Sequence, residues 1–309
     1  MTGVADARAG AERSDVGARF AGDRAAVNAA LLAVCDGHLA PLDARTAAAV
    51  RYGLLSEGKR LRPLLVLAAY EAAGGRADAV ALATSIEIVH AYSLVHDDLP
   101  CMDDDDVRRG RPTVHRVYGT AAATAAGLAM VPLAARCALE GARALGLVPA
   151  TGGAIVRELM RASGGAGMIG GQQLDLDGEG RALSLEQLER IHTAKTGALI
   201  TAAARIGGLA AGATPERLEA LGRYGRAVGL AFQIADDVLD VTATTDELGK
   251  TAGRDLALQK STYPALLGVD GAMRRATSLA RSAVDALRGV GLLTPALAYV
   301  AEFSVARRS

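Results

Sequence analysis

Two clusters of aspartates are the residues in this chain whose types and spacing most directly suggest chemistry. The first lies between Asp97 and Asp106, and the second lies between Asp236 and Asp240. Neighbouring carboxylates repel one another, so a cluster in apolar surroundings needs a countercharge. Divalent cations such as Mg²⁺ take oxygen ligands and often bridge carboxylates to the phosphates of a substrate. The two clusters therefore predict a polyphosphate held between them by several metal ions.

The second cluster has the spacing of a helix face. Residues four apart on an α-helix lie on the same face, and this relation holds for Asp236 with Asp240 and for Gln233 with Asp237. Most charge runs are solvated surfaces, but the residues around these aspartates, 230–239, are mostly apolar. That pattern is typical of a buried helix. Buried carboxylates need partners, so we predict that this cluster binds metal.

In the first cluster, a proline separates two groups of aspartates. Asp97 and Asp103 are six residues apart, which would place them about 120° apart around a straight helix. Pro100 disfavours helical geometry before it and breaks the hydrogen-bond ladder. The chain can therefore loop and bring Asp103 back beside Asp97. Residues 104–106 are expected to be solvated or to oppose the two arginines that follow them.

Basic side chains accompany the aspartates. Lys59 and Arg62 are three residues apart at the edge of an apolar helix, where a planar guanidinium and a mobile ammonium can reach one anion. His90 and Ser93 lie on the predicted helix that leads to Asp97. A lone histidine is usually a satisfied polar residue, and His90 is a candidate only because of these basic residues. The other candidate anion-binding residues are Arg108, Arg109, Lys195, Lys250 and Lys260.

Nearly every other segment has a helical pattern that would position these groups. No stretch shows the sustained alternation of a strand. A capping box is suggested at residues 184–187, and Thr-Pro pairs at 214–215 and 294–295 suggest two further helix starts. The sequence predicts one all-α bundle of about ten helices. We expect residues 1–20 to be a flexible N-terminus and residues 21–309 to form a single domain.

Composition narrows the class of function. Lys plus Arg and Asp plus Glu both total 34, so no basic excess points to nucleic acid. The first 20 residues lack an apolar signal core, and three cysteines without metal-type spacing argue against a disulfide framework. We therefore expect a cytoplasmic location. The apolar run 119–135 is interrupted by Pro132 and is shorter than the about 20 residues that span a bilayer, so we expect a buried helix and no transmembrane segment.

Six segments together carry a resemblance to a known family. They are residues 58–63 (GKRLRP), 97–110 (DDLPCMDDDDVRRG), 171–176 (GQQLDL), 195–197 (KTG), 232–240 (FQIADDVLD) and 260–264 (KSTYP). In this order they are similar to the trans-isoprenyl diphosphate synthases, or polyprenyl synthetases, from about Arg51 to the C-terminus. The resemblance implies an isoprenoid synthase type I-like bundle around a central cavity and Mg²⁺-dependent head-to-tail prenyl transfer.

The resemblance also implies roles for individual residues. Two Mg²⁺ ions would be held by Asp97, Asp98 and Asp103, and a third by Asp236, with Asp237 and Asp240 completing the second motif. The allylic diphosphate would be clamped by Arg108, Lys195, Lys250 and Lys260. Isopentenyl diphosphate would occupy a metal-free pocket of Gly58, Lys59, Arg62, His90 and Arg109. The path of the developing carbocation would be lined by Thr196 and Gln233, which join Lys195 and Arg108 as the implied catalytic residues.

Product length is implied by residues just upstream of the first cluster. In this family the product grows down a tunnel, and Tyr92 and Ser93 occupy the fifth and fourth positions before Asp97. An aromatic at Tyr92, with two extra residues inside the motif, resembles bacterial farnesyl diphosphate synthases and favours a C15 product. The alternative is C20, geranylgeranyl diphosphate, because the alanines of 121–129 can widen the tunnel.

Two residues depart from the family's pattern, and two other functions stay open. Leu128 stands where an aspartate is usual, and Glu57 stands where a glycine is usual. A class I terpene cyclase would need neither Lys59 and Arg62 nor a second aspartate motif. A catalytically silent subunit of a prenyl synthase would be compatible with Leu128. The resemblance further implies a homodimer whose small-molecule partners are the two diphosphates.

Overall fold

The computed structural model describes residues 2–242 and 260–306, and over these ranges the chain is almost entirely helical. The predicted all-α fold is confirmed. The helices are α1 (Thr2–His38), α2 (Ala44–Leu54), α3 (Leu61–Ala72), α4 (Val80–Asp97), α5 (Val114–Tyr118), α6 (Thr120–Ala144), α7 (Pro149–Ser163), α8 (Met168–Gly178), α9 (Leu185–His192), α10 (Ala198–Ala210), α11 (Pro215–Thr242), α12 (Tyr263–Arg288) and α13 (Pro295–Ala306). A π-helical turn, Thr193–Gly197, joins α9 to α10.

Helix α4 lies at the centre of the bundle. Its residues Leu82, Ile86 and Val89 are almost completely buried, and it packs against α3 and α6. Helix α10 packs against α3 and α11, and α11 packs against α12. Small residues bring these helices close together, since a Cβ on Gly141 of α6 would lie 2.5 Å from the Leu82 backbone nitrogen. This close packing makes α4 and α11 rigid supports for the two aspartate clusters.

The first aspartate cluster begins where α4 ends. The chain turns after Asp97, and the backbone N–H of Asp103 donates to the carbonyl oxygen of Asp97 at 2.8 Å. The N–H of Asp104 donates to the carbonyl of Leu99 at 3.1 Å. Pro100 lies between them and has no N–H to continue the helix. The loop therefore returns Asp103 to Asp97, as the six-residue spacing predicted.

A short antiparallel hairpin follows this loop. Its strands are β1 (Val107–Arg108) and β2 (Arg111–Pro112). The turn residues Arg109 and Gly110 have φ values of 55° and 72°, and a two-residue hairpin turn of type I′ requires positive φ at both positions. The sequence carries no signal for these two strands, because two residues per strand are too few to form an alternating pattern.

Helix α1 includes the segment that was expected to be a flexible N-terminus. Val16 and Phe20 are buried in the main hydrophobic core, and the Phe20 ring packs edge-on against Tyr299 with centroids 5.6 Å apart. The C-terminal part of segment 1–20 therefore contributes apolar contacts to the bundle. The flexibility of 1–20 and the extent of the single domain stay predictions.

The apolar run at 119–135 lies mostly in α6. Within the described ranges, α6 is the one helix whose length and composition would suit a membrane crossing. Of its most apolar stretch of 18 residues, 44% is buried inside the protein. Ala126 and Met130 are fully buried, whereas Leu128 is 62% exposed. The expected burial is therefore found on one face of α6, which packs on α4, and Pro132 does not end the helix.

Candidate active site

Most of the residues singled out in the sequence line two adjoining cavities. The basic cavity has a volume of about 440 Å³ and the acidic cavity about 200 Å³. Both are bordered by Asp97, Arg108, Lys195, Gln233 and Asp236. The predicted residues that line only the basic cavity are Gly58, Lys59, Arg62, His90, Ser93, Arg109 and Thr196. Those that line only the acidic cavity are Asp103, Asp237, Asp240 and Lys260.

Two predicted site residues, Asp98 and Tyr92, line neither cavity. Lys250 lies outside the described residues.

The acidic cavity brings carboxylates from both aspartate clusters together. Burial raises the pKa of Asp97 to about 6; nearby Lys195 opposes this rise and the negative charge of Asp103 adds to it. A nearby cation would favour the ionised form of this buried carboxyl and lower its pKa again. The donor atoms are carboxylate oxygens, the hard ligands that Mg²⁺ prefers. The residues present therefore fit a Mg²⁺ site.

Asp98 occupies a different position from the other aspartates of its cluster. Its buried carboxylate accepts a hydrogen bond from Arg108 Nε at 2.7 Å, and Arg108 also donates to Asp105 at 3.0 Å. Asp98 therefore holds the guanidinium that borders both cavities. Residues 104–106 were expected to be solvated or to oppose the following arginines, and both occur: Asp105 pairs with Arg108, whereas Asp104 and Asp106 are exposed and Asp106 also pairs with Arg116.

The π-helical turn places Lys195 and Thr196 against the cavities. Such turns are rare and occur often at functional sites. Gly171 of α8 lies so close to the backbone of Lys195 that the turn leaves no room for a Cβ at this position. The glycine of the sequence segment 171–176 therefore sets how closely α8 approaches the π-helical turn.

A chain of hydrogen bonds connects this turn to α11 and α12. Thr196 Oγ1 donates to Gln233 Oε1 at 2.9 Å, and Gln233 Nε2 donates to Asp237 Oδ1 at 3.0 Å. The backbone N–H of Tyr263 donates to Asp237 Oδ2 at 3.1 Å. These bonds fix the orientation of the Gln233 amide, with its oxygen toward Thr196. Asp237 thus supports the cavity wall and also anchors the start of α12.

Asp175 is a residue of the acidic cavity for which the sequence predicted no role. Its Oδ2 accepts hydrogen bonds from Lys195 Nζ at 2.6 Å and Lys260 Nζ at 3.0 Å. Burial alone would raise the pKa of Asp175, but the two lysines together lower it. Asp175 could have been identified from the sequence by its position in segment 171–176, which is one of the six segments of the family resemblance.

The basic cavity carries its own positive charge. Burial lowers the pKa of Arg62 to about 10, although Glu87 opposes the shift, so the guanidinium stays charged at neutral pH. Its Nε is buried and has no protein hydrogen-bond partner among the described residues. Burial and the neighbouring guanidinium groups, Arg62 foremost, hold the pKa of His90 well below its usual value. The cavity therefore combines charged donors with a neutral imidazole, a combination that suits an anion.

A buried ion pair supports this basic cavity from behind. Arg60 adopts a positive φ of 52° and donates to Glu87 Oε1 at 2.7 Å, with both side chains almost fully buried. Gly58 allows the close approach of Arg109, since a Cβ there would lie 2.8 Å from Arg109 Nη1. Lys59 lies over the Phe303 ring, 5.5 Å from its centroid. Elements far apart in the sequence thus hold the cationic groups around one space.

The residues expected to set product length lie on α4 below the basic cavity. Ser93 lines the cavity, and its hydroxyl donates to the His90 carbonyl at 2.9 Å. Tyr92 is buried behind this surface, edge-on to the His96 ring at 4.9 Å between centroids. Gly127 of α6 gives His96 its space, because a Cβ at Gly127 would collide with the imidazole. His96 therefore lies between α4 and α6 with Tyr92 packed on its ring, and we call this pair the aromatic plug.

The two departures from the family's pattern lie away from the cavities. Leu128 is 62% exposed and Glu57 is exposed, and neither lines the basic or the acidic cavity. Together, the two cavities have the features of a class of protein that could bind two phosphorylated substrates side by side, one against carboxylates suited to Mg²⁺ and one against cationic side chains.

Comparisons with known proteins agree with this class. A model of the polyprenyl synthetase family matches residues 43–287. The farnesyl diphosphate synthase of Escherichia coli K12 is 48% identical over 263 residues, which cover 84% of this chain and 88% of that protein. A chloroplastic geranylgeranyl pyrophosphate synthase of Capsicum annuum is 45% identical over 243 residues, which cover 78% of this chain and 65% of that protein.

A solved structure extends the agreement to the whole fold. The geranyltransferase of Helicobacter pylori, complexed with magnesium and isoprenyl diphosphate, superposes with a TM-score of 0.79 and 31% identity, over 93% of this chain and 95% of that one. The chain belongs to the polyprenyl synthetase family. It is a prenyltransferase that elongates isoprenyl diphosphates. These relatives give no support to the terpene cyclase alternative.

Proposed function

We propose that the protein condenses isopentenyl diphosphate with dimethylallyl or geranyl diphosphate, head to tail, and releases farnesyl diphosphate. The observation that carries this proposal is the shared wall of two differently charged cavities. Asp97, Arg108, Lys195, Gln233 and Asp236 border both. Two diphosphates bound on either side of this wall would hold their reacting carbons close together.

The allylic diphosphate belongs in the acidic cavity in this proposal. Mg²⁺, three ions per site by family likeness, would be held by Asp97, Asp103 and Asp236 with Asp237 and Asp240, and would supply positive charge for the leaving diphosphate. Arg108, Lys195 and Lys260 add fixed positive charge at the same place, and preorganised charge of this kind stabilises a leaving group as its negative charge develops. Asp98 has a positioning role through Arg108.

Isopentenyl diphosphate belongs in the basic cavity. Arg62 offers a buried donor without a protein partner among the described residues, and Lys59, His90 and Arg109 line the same space. Gly58 keeps that space open to Arg109. The diphosphate there needs no metal, because the side chains supply the countercharge themselves.

The space between the two diphosphates must protect a carbocation from water. Thr196 donates its hydroxyl hydrogen to Gln233, so the Thr196 oxygen can direct lone-pair density toward a developing positive charge. Leu94, Leu199 and Phe232 add apolar walls, and exclusion of water prevents premature hydrolysis. The proton released after carbon–carbon bond formation passes to the departing diphosphate, the strongest base in this space.

A C15 product is supported by the aromatic plug. Tyr92 and His96 fill the space between α4 and α6 below Ser93, where an elongating chain would otherwise continue. A C20 product is the second candidate, since a geranylgeranyl pyrophosphate synthase is among the similar proteins and the neighbouring residues of α6 are alanines. Replacing Tyr92 by Ala removes the plug and is expected to lengthen the product by at least one C5 unit. An unchanged product, read by mass detection, would place the tunnel floor elsewhere.

We also propose a cytoplasmic homodimer. Support comes from the apolar helix α6, because less than half of its most apolar stretch of 18 residues is buried in the single chain. Leu128 and Leu139 of this helix are exposed. A second copy would cover such a surface. Analytical ultracentrifugation tests this: a dimer is expected, and a monomer at micromolar concentration would contradict it.

The activity itself is tested with purified protein, isopentenyl diphosphate, Mg²⁺ and each of dimethylallyl, geranyl and farnesyl diphosphate. Products are dephosphorylated and separated by gas chromatography with mass detection. Farnesol from the two shorter starters is the expected result, and geranylgeraniol would select the second candidate. Tight binding of both substrates without elongation would instead favour the silent subunit of a prenyl synthase.

A further inference from the structure

A second group of potential metal ligands lies on the side of the bundle where α1 ends against α6. It consists of His38 at the C-terminus of α1 with Cys137 and Glu140 of α6. One ligand atom from each residue lies within 4.8 Å of the other two. None of these residues lines the acidic or the basic cavity. The group is therefore separate from the active site.

The donor set differs in kind from that of the active site. A thiol, an imidazole and a carboxylate are the ligands that Zn²⁺ and Co²⁺ take in proteins, whereas Mg²⁺ prefers oxygen alone. We propose that His38, Cys137 and Glu140 form a Zn²⁺-binding site that clips α1 to α6. A water molecule would complete a four-coordinate shell.

The geometry of the two polar ligands suits this assignment. His38 Nε2 lies 3.2 Å from Glu140 Oε2, so both atoms face one point between α1 and α6. The other carboxylate oxygen, Oε1, accepts a hydrogen bond from Arg136 Nε at 2.8 Å. Arg136 opposes a cation by its charge, but its side chain is 60% exposed and it orients the carboxylate, as partners of metal ligands commonly do.

Cys137 supplies the ligand that makes the site distinctive. Its side chain is only 4% exposed, and burial raises the pKa of the thiol to about 11. A buried thiol with a raised pKa is unreactive by itself, so a redox or nucleophilic role does not suit it. A bound divalent cation replaces the thiol proton, which leaves to solvent, and the imidazole proton then resides on Nδ1 of His38.

An apolar cavity of about 200 Å³ gives access to the site. It is bordered by His38 and Arg136 and otherwise by side chains such as Leu39, Leu42 and Leu133. A metal ion and the water that completes its shell can enter along the imidazole.

Co²⁺ binding to the full-length, chelator-treated protein tests the proposal, with excess Mg²⁺ present to occupy oxygen sites. A thiolate-to-cobalt charge-transfer absorption band is expected in wild type and in the Cys35→Ser, Cys101→Ser double variant, where Cys137 is the remaining cysteine. The band should vanish in Cys137→Ser. Absence of the band in the double variant, or its survival in Cys137→Ser, overturns the proposal.

Two further variants keep the test decisive if Cys137→Ser does not fold. His38→Gln and Glu140→Gln change partly exposed side chains, and each is expected to weaken Zn²⁺ binding by roughly 100-fold or more, since removing a metal ligand costs more than removing its supporting partner. Zn²⁺ should raise the Tm of wild type and leave that of His38→Gln unchanged. Equal affinity and an equal Tm rise in these variants would contradict the site.

Discussion

The acidic and basic cavities share a wall but differ in the charged side chains that line them. In the acidic cavity, burial raises the pKa of Asp97 to about 6, and the nearby charge of Asp103 adds to the rise. In the basic cavity, Arg62 stays charged despite its burial and has a donor without a protein partner among the described residues. We therefore expect an anion to bind in the acidic cavity together with added cations and in the basic cavity without them. This difference would distinguish the two substrates.

The largest effect is expected from removing a carboxylate of the acidic cavity. Asp236→Asn should lower kcat by roughly 1,000-fold or more, because the developing charge on the leaving diphosphate loses its metal-held partner. The KM for isopentenyl diphosphate should change little. Steady-state kinetics compare this variant with Asp270→Asn, an exposed aspartate on α12, which should behave as wild type. Near-normal turnover in Asp236→Asn would refute its metal-binding role.

The converse change removes charge from the basic cavity. Arg62→Gln should raise the KM for isopentenyl diphosphate by roughly 100-fold, the scale expected when one partner of a buried charged contact is removed. The Mg²⁺ concentration needed for half-maximal rate should stay the same. Arg76→Gln, which alters an exposed arginine on the loop after α3, is the matched control. A large change in Mg²⁺ requirement would show that the cavities are not independent.

The acidic cavity should also affect stability in a pH-dependent way. Because folding raises the Asp97 pKa from 3.8 to about 6, its contribution to stability is present below about pH 4 and is lost as pH rises through about 6. Metal-free Asp97→Asn should therefore be more stable than wild type at pH 7 by about 3 kcal/mol and nearly equal to it in stability at pH 4. Urea unfolding in EDTA measures both. Addition of Mg²⁺ should reverse the order, and an advantage that persists at pH 4 would contradict this origin.

A smaller effect is expected from Asp175, which holds two lysines rather than substrate. Asp175→Asn weakens the bonds to Lys195 and Lys260 and should lower kcat about 10-fold, since one charge-assisted hydrogen bond is typically worth about 1.5–3 kcal/mol. Because both lysines line the acidic cavity, where we propose that the allylic diphosphate binds, the KM for isopentenyl diphosphate should change little. A rise confined to that KM would assign Asp175 to the other substrate.

The aspartate clusters show what spacing along a chain can predict. The return of Asp103 to Asp97 follows from six residues and a proline, and the face shared by Gln233 and Asp237 follows from helical periodicity. Both inferences depend on local geometry, which the sequence determines directly. The all-α fold follows in the same way from the absence of alternating patterns over long segments.

Residues whose place depends on distant partners could not be found in this way. Asp98 stands beside Asp97 in the sequence, yet it turns inward to Arg108 because the hairpin brings that guanidinium beneath the loop. Asp175 acquires its role from Lys195 and Lys260, which are 20 and 85 residues away. The π-helical turn and the two-residue strands are likewise too short to leave a periodic signal.

Calorimetric binding of each substrate with and without Mg²⁺ tests the difference between the cavities most directly. Isopentenyl diphosphate should bind in EDTA nearly as tightly as in Mg²⁺, and Arg62→Gln should weaken that binding in both. A geranyl diphosphate analogue that cannot ionise should bind at least tenfold more tightly with Mg²⁺, and Asp236→Asn should remove that gain. Isopentenyl diphosphate that requires Mg²⁺, or an allylic analogue indifferent to it, would contradict the account.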